Sequence, residues 1–371
     1  MTLSDLTGNS GGWLDPGESD NRIVITSRIR LARNLRNEPF PGWAKKAERV
    51  RILERIQPEV QVLAEMKDGC AEGLGELSAL DKQVLVERHL ISREHAAKGA
   101  GSAVIVNRRQ TVSIMINEED HLRMQALRPG LQLASAWKQI DRVDTALEDR
   151  LDYAFHPRLG YLTACPSNVG TGMRASVMAH LPGLVLNEQI NQVIQAVNKI
   201  GLAVRGLYGE GTEAMGNLFQ VSNQTTLGEN EQEILDRLGK VIGMILQHER
   251  NARENLQARR SAALLDQIGR AYGILTHAWS ITSKEALNLL SLVRLGIDLG
   301  LFPETARRPV DGLFMETQPA HLQKASRQKL AADERDALRA ASVRARLKAL
   351  PPPATGLLGS DNGSPEENTH E

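Results

Sequence analysis

Two carboxylates, one thiol and a set of arginines are the side chains of this sequence best suited to do chemistry. Cys165 lies in the stretch YLTACPSNVGTGMRAS and is one of only two cysteines. Around it are Pro166, Ser167, Asn168, Gly170 and Gly172, and a helix is expected to open at Arg174. Glu119 falls in NEEDHLR together with Glu118, Asp120 and Arg123, and Glu210 sits between Gly209 and Gly211. Arg28, Arg30, Arg123, Arg174 and Arg205 all fall at expected strand ends or loop–helix junctions. A guanidinium fork there suits bidentate contact with phosphate oxygens. Taken singly, each residue also has a plainer reading. Arg28 and Arg30 fit a solvated strand face, and Cys165 fits a small core side chain. Glu119 and Arg123 have the spacing of a surface helix ion pair, and Glu210 fits ordinary loop polarity. Taken together, the set reads as an anion site with carboxylates and a thiol at its edge.

Other constellations are weaker. Gly170-x-Gly172-x-x-Ala175 matches the dinucleotide fingerprint in form, yet Gln192 stands where its acidic partner should fall, about 20 residues on. A glycine-rich loop that opens a helix still binds phosphate through backbone N–H groups. The P-loop sequence is absent, as is the glycine-loop, H-R-D and D-F-G set of ordinary protein kinases. No His or Cys spacing suggests a metal cage, so no protein-held metal is expected.

These side chains need a scaffold, and the hydrophobic pattern supplies one. In NRIVITSRIRLARN the two-residue period places Ile23, Ile25, Ile29 and Leu31 on one strand face and Arg28 and Arg30 on the other. AVIV (103–106) and TVSIMI (111–116) predict a hairpin, and GLAVRGL with NLFQVSN predicts a second pair. From Glu231 to Leu350 almost everything reads as helix, with Thr282 and Glu285 at capping-box spacing. The fold class is therefore α+β, a mixed domain followed by a helical one. The expected limits are a flexible tail over 1–20, a catalytic domain over 21–253, a helical regulatory or dimerisation domain over 254–350 and a disordered tail over 351–371. Charged residues are 24% and hydrophobic residues 41%, an ordinary globular balance, and the net charge of zero argues against direct nucleic-acid binding. Few cysteines fit a reducing cytosol, and no signal peptide or membrane-spanning run is visible. A cytoplasmic location is expected.

The segments TSRIRLARN, NEEDHLR, CPSNVGTGMRAS and VRGLYGEGTE…VSN resemble the signature segments of the phosphagen kinases, the arginine and creatine kinases. The finer resemblance is to the bacterial protein-arginine kinases and runs over residues 22–350. It implies an antiparallel sheet flanked by helices, followed by a smaller all-helical domain. It also implies ATP as phosphoryl donor, with Mg²⁺ held mainly through the nucleotide. Thr26, Ser27, Arg28, Ile29 and Arg30 would line the ATP site, with Arg174, Ala175, Ser176, Val177 and Met178. Arg205, Gly206, Leu207, Tyr208, Gly209 and Glu210 would complete it, and Arg123 would join the arginine cage. His89 would lie against the nucleotide. Glu119 would act as base, Glu210 would grip the target guanidinium and Cys165 would sit beside it. Thr26 stands where the family usually has Ser and keeps the hydroxyl.

Metabolic phosphagen kinases carry a helical domain ahead of the catalytic part, whereas here TSRIR begins by residue 26. The C-terminal region instead holds Arg335-Asp336-Ala337-Leu338-Arg339-Ala340, matching the family's R-D-x-x-R-A phosphoarginine-receptor motif. Arg335, Asp336, Arg339 and Ala340 would form an allosteric pocket; a solvated helix with an internal ion pair is the plainer alternative. The implied partners are protein substrates with exposed arginines, a zinc-binding activator, a Clp-type unfoldase and protease, and a second copy in a homodimer. The implied role is marking stress-damaged or regulatory proteins for proteolysis. A free-guanidino kinase and a non-catalytic phosphoarginine-binding adaptor are the rival expectations.

Overall fold

The computed structural model describes residues 11–12, 22–206, 214–326 and 328–354. Leu207, Tyr208, Gly209 and Glu210 fall outside the described residues, as do most of both expected tails. The chain opens with β1 (Val24–Arg33), α1 (Lys46–Gln61), β2 (Cys70–Gly73), α2 (Ala79–Glu87) and α3 (Arg93–Ala96). There follow β3 (Ala103–Val106), β4 (Val112–Ile116), β5 (Leu122–Pro129), α4 (Leu133–Glu148) and the small pair β6 (Phe155–His156) and β7 (Gly160–Tyr161). Next come β8 (Met173–His180), α5 (Pro182–Leu186), α6 (Ile190–Lys199), β9 (Leu202–Gly206) and β10 (Leu218–Asn223). The helical part holds α7 (Glu231–His277), α8 (Ser283–Asp298), α9 (Arg307–Glu316), α10 (Pro319–Ser326) and α11 (Ala332–Leu347).

Eight strands form one antiparallel sheet in the order β2-β3-β4-β5-β1-β8-β10-β9. The expected pairs, β3 with β4 and β9 with β10, are both present. Side chains alternate across the pleat, so each strand divides its residues between two environments. Ile29, Leu31, Met124, Ala175, Val177, Val204 and Val221 point into a core closed by α1, α4, α6 and the first half of α7. Ile52 and Ile56, Ile140 and Val143, Ile194 and Val197, and Leu238 and Ile242 are the helices' contributions to it. The opposite face carries the polar and cationic set of β1, β5, β8, β9 and β10.

Two expectations need correction. Arg174 opens no helix: it lies on β8, directly opposite Arg30 of β1. Ile25 does not share the face of Ile29 and Leu31. The β1–β8 register shifts between Val24 and Thr26, and Ile25 packs instead with Leu127 and Met178. One irregular residue in an antiparallel ladder reverses which face the neighbouring side chain meets.

Asn230 and Glu233 form a reciprocal capping box at the start of α7, with bonds of 2.9 and 2.8 Å. The helix loses regular geometry at Arg260, where φ is −138° and ψ is 30°. Thr282 caps α8 by accepting the Glu285 N–H at 3.2 Å, one of the two bonds its capping-box spacing predicted. Leu264, Ile268, Leu287, Leu290, Val310, Leu313, Val343 and Leu347 build a second core, which also takes in Leu218 of β10. Among the described residues no helix is long and apolar enough to cross a membrane.

Candidate active site

The sheet register assembles the site. Arg30 pairs with Gln125 on β5 and with Arg174 on β8, while Arg28 pairs with Leu127 and Ser176. Arg123 of β5 stands opposite Ala32, and Arg205 of β9 stands opposite Gln220 of β10. Directly opposed strand residues share a face. Arg123, Arg30, Arg174 and Arg205 therefore run across one surface of neighbouring strands. With Glu119 and Cys165 they line a cavity of about 310 Å³. Arg28 and His89 sit beside it, in a small recess walled by Thr26, Leu127, Ser176, Met178 and Gln220.

This concentration of like charge is unfavourable on its own. Burial lowers the Arg28 pKa to about 10, with Arg123 and Arg174 adding to the effect. Arg30 is driven below the ordinary guanidinium value, first by burial and then by Arg28, Arg123 and Arg174. Its Nε is buried and has no hydrogen-bond partner among the described residues. Arg174 is lowered by burial and by Arg205, and among the described residues its hydrogen bond is a long one, to Asn168 Oδ1 at 3.5 Å. Arg28 donates to Gln220 Oε1 at 2.7 Å. Unspent guanidinium donors converging on one cavity are what a polyanion requires. His89, in the left-handed region at φ 58°, offers its carbonyl to Gln125 at 2.7 Å. Its imidazole is held neutral, its pKa pushed down to about 3 by burial and by Arg28.

The three acids of NEED have three separate duties. Glu118 is fully buried and accepts Arg123 Nη1 on both oxygens, at 2.6 and 2.7 Å, and the Ser92 hydroxyl at 2.5 Å. Burial raises its pKa, but Arg123 more than offsets this and holds the carboxyl below its usual range. Asp120 Oδ1 accepts Asn34 Nδ2 at 2.6 Å and the Ala164 N–H at 2.7 Å. It thereby ties the Cys165 loop to the end of β4. Glu119, exposed between them, has its pKa raised by burial, then by Asp120 and Glu118. The surface-helix reading of Glu119 and Arg123 fails, because Glu119 lies in a bend, Arg123 lies on β5 and the ion pair belongs to Glu118. Sequence reasoning missed Glu118 and Asp120 as the groups that fix Arg123 and the thiol loop. Three adjacent acids ahead of a strand were the available signal.

The glycines of the Cys165 loop also need another explanation. Gly170 and Gly172 have φ of 114° and 65°, and a Cβ on either would strike Thr226 or Ala32 backbone. They permit close packing of the loop against the sheet, and Gly172 also lines the arginine cavity. Cys165 precedes a single turn of 3₁₀ helix, Pro166–Asn168, so no long helix N-terminus faces the thiol. Its Sγ lies 3.1 Å from Ser167 Oγ.

The receptor-motif residues are held by contacts within the helical part. Arg339 is 1% exposed and donates to the carbonyls of Thr317 at 2.9 Å and Ile281 at 2.8 Å. Asp336 is bonded to Arg339, while Arg335 donates to the Leu330 carbonyl at 2.9 Å. Ala340 is buried in the second core. Arg339 thus holds α11 to its neighbours through the Thr317 and Ile281 carbonyls.

Known proteins share this organisation. Residues 51–252 match the family described as ATP:guanido phosphotransferase, C-terminal catalytic domain, and residues 261–357 match the protein-arginine kinase McsB C-terminal domain. The chain is 45% identical over 348 residues to the protein-arginine kinase of Halothermothrix orenii, covering 94% of this chain and 99% of that one. It is 47% identical over 338 residues to that of Moorella thermoacetica, covering 90% and 96%. Lombricine kinase superposes with a TM-score of 0.56 at 26% identity, covering 66% of this chain and 70% of that one. The duplicated taurocyamine kinase of Schistosoma mansoni superposes with a TM-score of 0.57 at 25% identity; the match covers 70% of this chain and 39% of that one. On the length and level of these matches, the chain belongs to the protein-arginine kinases within the ATP:guanido phosphotransferase family.

Proposed function

We propose that this chain transfers the γ-phosphoryl group of ATP to the guanidinium side chains of arginines in polypeptides. The observation that carries the reading is the row Arg123, Arg30, Arg174 and Arg205 beside Glu119 in one cavity. Negative charge grows on the transferring phosphoryl group and on the leaving ADP, and fixed guanidinium donors oppose it without reorganising. Mg²⁺ would be held mainly by nucleotide oxygens and would screen the same charge. Thr26, Arg28, Arg30, Arg174, Ser176 and Met178, and Gly206 with the segment through Glu210, would complete the nucleotide site, His89 resting against it; Ser27, Ile29, Ala175 and Val177 of the expected stretches are buried on the opposite sheet face and support it from behind.

A guanidinium is a poor nucleophile while protonated, since its pKa lies above about 12. Glu119 accepts a hydrogen bond from the target nitrogen, aligns it in line with the γ-phosphorus and takes up its proton. The nitrogen–phosphorus bond forms as the phosphorus–oxygen bond to ADP breaks. Cys165 lies against the guanidinium, and Glu210 would grip its far edge. In the cell this reading places the enzyme in the cytoplasm as a homodimer, marking damaged or regulatory proteins for a Clp-type unfoldase and protease and answering to a zinc-binding activator. Family resemblance supports that part. A receptor role for Arg335 and Asp336 would require Arg339 to release Thr317 and Ile281.

The test is a competition between free L-arginine and an unfolded arginine-rich protein, with Mg·ATP and with Glu119→Ala as control. Acid-labile P–N phosphorus is followed by ³¹P NMR and located by mass spectrometry. Label on protein arginines, absent from the control, is the expected result. Label on free arginine alone would reassign the chain to the free-guanidino kinases.

A further inference from the structure

Glu119 and Arg123 face a second cavity as well as the arginine-lined one. This cleft, about 620 Å³, is walled by Phe40, Trp43, Glu94 and Lys98. Trp43 is 90% exposed, far from the usual state of so large an apolar side chain. It is not loosely displayed. The Trp43 and Ala44 N–H groups both donate to the Phe40 carbonyl, at 2.8 and 3.0 Å, closing a tight turn. The Phe40 ring packs edge-on against His121, with ring centres 6.2 Å apart, and His121 follows Asp120 directly. His121 is pinned in turn by the Leu35 N–H at 3.0 Å and the Pro39 carbonyl at 3.0 Å. A large aromatic carried on a hydrogen-bonded turn is thus presented to solvent on the wall of a cleft that opens onto the reacting carboxylate.

We infer that this cleft is the polypeptide subsite, in which Trp43 and Phe40 receive the chain flanking the target arginine while Glu94 faces its positive charge. The inference rests on the polypeptide-arginine reading above and deepens it. Three observations support that occupant. The cleft is continuous with the reaction site through Glu119 and Arg123. Its exposed acid, Glu94, complements a cationic segment. Its size exceeds what one arginine side chain needs, whereas a backbone with its neighbours would fill it. Rigid aromatic side chains at a binding edge contribute large contact area at small entropic loss. Trp43 is then a specificity residue: it distinguishes an arginine within a chain from the free amino acid.

The experiment measures steady-state kinetics of the full chain on an unfolded arginine-containing protein and on free L-arginine. Variants are Trp43→Ala and, as control, Trp279→Ala, whose tryptophan is 81% exposed on the helical part. Trp43→Ala should raise KM for the protein about tenfold, the scale of one aromatic anchor, with KM for ATP held. Trp279→Ala should match the wild type. Equal KM values for the two variants would overturn the subsite while leaving protein phosphorylation by the wild type intact. Wild-type label on free arginine alone would instead remove the reading beneath it. Quenching of tryptophan fluorescence on adding an arginine-containing peptide, lost in Trp43→Ala, is the independent expected sign; quenching that survives the substitution would count against the subsite.

Discussion

The raised pKa of Glu119 sets its own test. A carboxyl that must accept a proton works only when ionised, so activity falls as pH drops through its folded pKa. Burial, Asp120 and Glu118 all raise that value, so the acid limb of kcat/KM should lie above the ordinary carboxylate range. Asp120→Asn removes one neighbouring charge but keeps an oxygen for Asn34 and Ala164. Its acid limb should shift to lower pH, and an unmoved or upward-shifted limb would separate Glu119 from proton transfer. Glu119→Gln should lower kcat by about 10²–10⁴-fold while nucleotide binding persists, checked by calorimetric titration with ADP. Glu118 has a different duty. Glu118→Gln takes the charged two-oxygen acceptor away from Arg123 Nη1, so KM for ATP should rise together with a fall in kcat; an effect on neither would mean that Arg123 holds its place without that partner.

At the scale of elements, buried ion pairs join the sheet to the helices behind it. Asp298, at the end of α8, lies 2.7 Å from Arg253 of α7 and 2.6 Å from Arg307 of α9. Arg294 binds Asp311 at 2.6 Å and reaches His180, the last residue of β8, at 3.0 Å. Burial and Arg294 push the imidazole pKa of His180 well down, so it stays neutral beside the cations. Asp298→Ala leaves Arg253 and Arg307 without this shared anion in a dry environment and should destabilise the fold by about 3–5 kcal/mol. Urea unfolding checks this, and a loss under 1 kcal/mol would show that water or Glu304 replaces the carboxylate. None of this junction was legible in the sequence, because its partners are far apart and look like ordinary helix charges. What was legible followed from local period: both hairpins, the split of β1 into Arg28/Arg30 and Ile29/Leu31, and the cap at Thr282. The misreading of Arg174 came from taking a glycine pair as a helix start. What Gly172 does instead, packing against Ala32 of β1, is a contact between segments far apart in sequence. For the same reason Glu119, Cys165 and the arginines were named from their types and motifs. Only the register shows Arg30 opposite Arg174 and Glu118 taking Arg123.

For the whole molecule, the arginine row ties stability to the ligand. Like charges directly opposed across an antiparallel pair are destabilising, and Arg30 and Arg174 are such a pair, with Arg28 and Arg123 beside them. The strain persists because the remaining sheet and helices hold the register, and a bound polyphosphate turns repulsion into bridging. Stabilities should therefore cross over. Among the described residues Arg174 has one long hydrogen bond to lose, to Asn168. Without nucleotide, Arg174→Ala should be as stable as the wild type or more so, by up to about 1 kcal/mol at low salt. With ADP present the order should reverse. A ligand at 100 times its Kd adds about 2.7 kcal/mol, and the variant, binding more weakly, gains less at the same concentration. Thermal melts of both proteins, with and without Mg·ADP and at two salt concentrations, read all four states. Raising salt without nucleotide should narrow the difference, since screening relieves the wild type more. A variant less stable than the wild type without nucleotide would mean that Arg174 has a structural role in the fold. An equal gain from ADP in both proteins would mean that the nucleotide phosphates lie elsewhere. Either result would remove the arginine row as the centre of the site, whereas the crossover would mark a sheet that holds its charges apart until the substrate neutralises them.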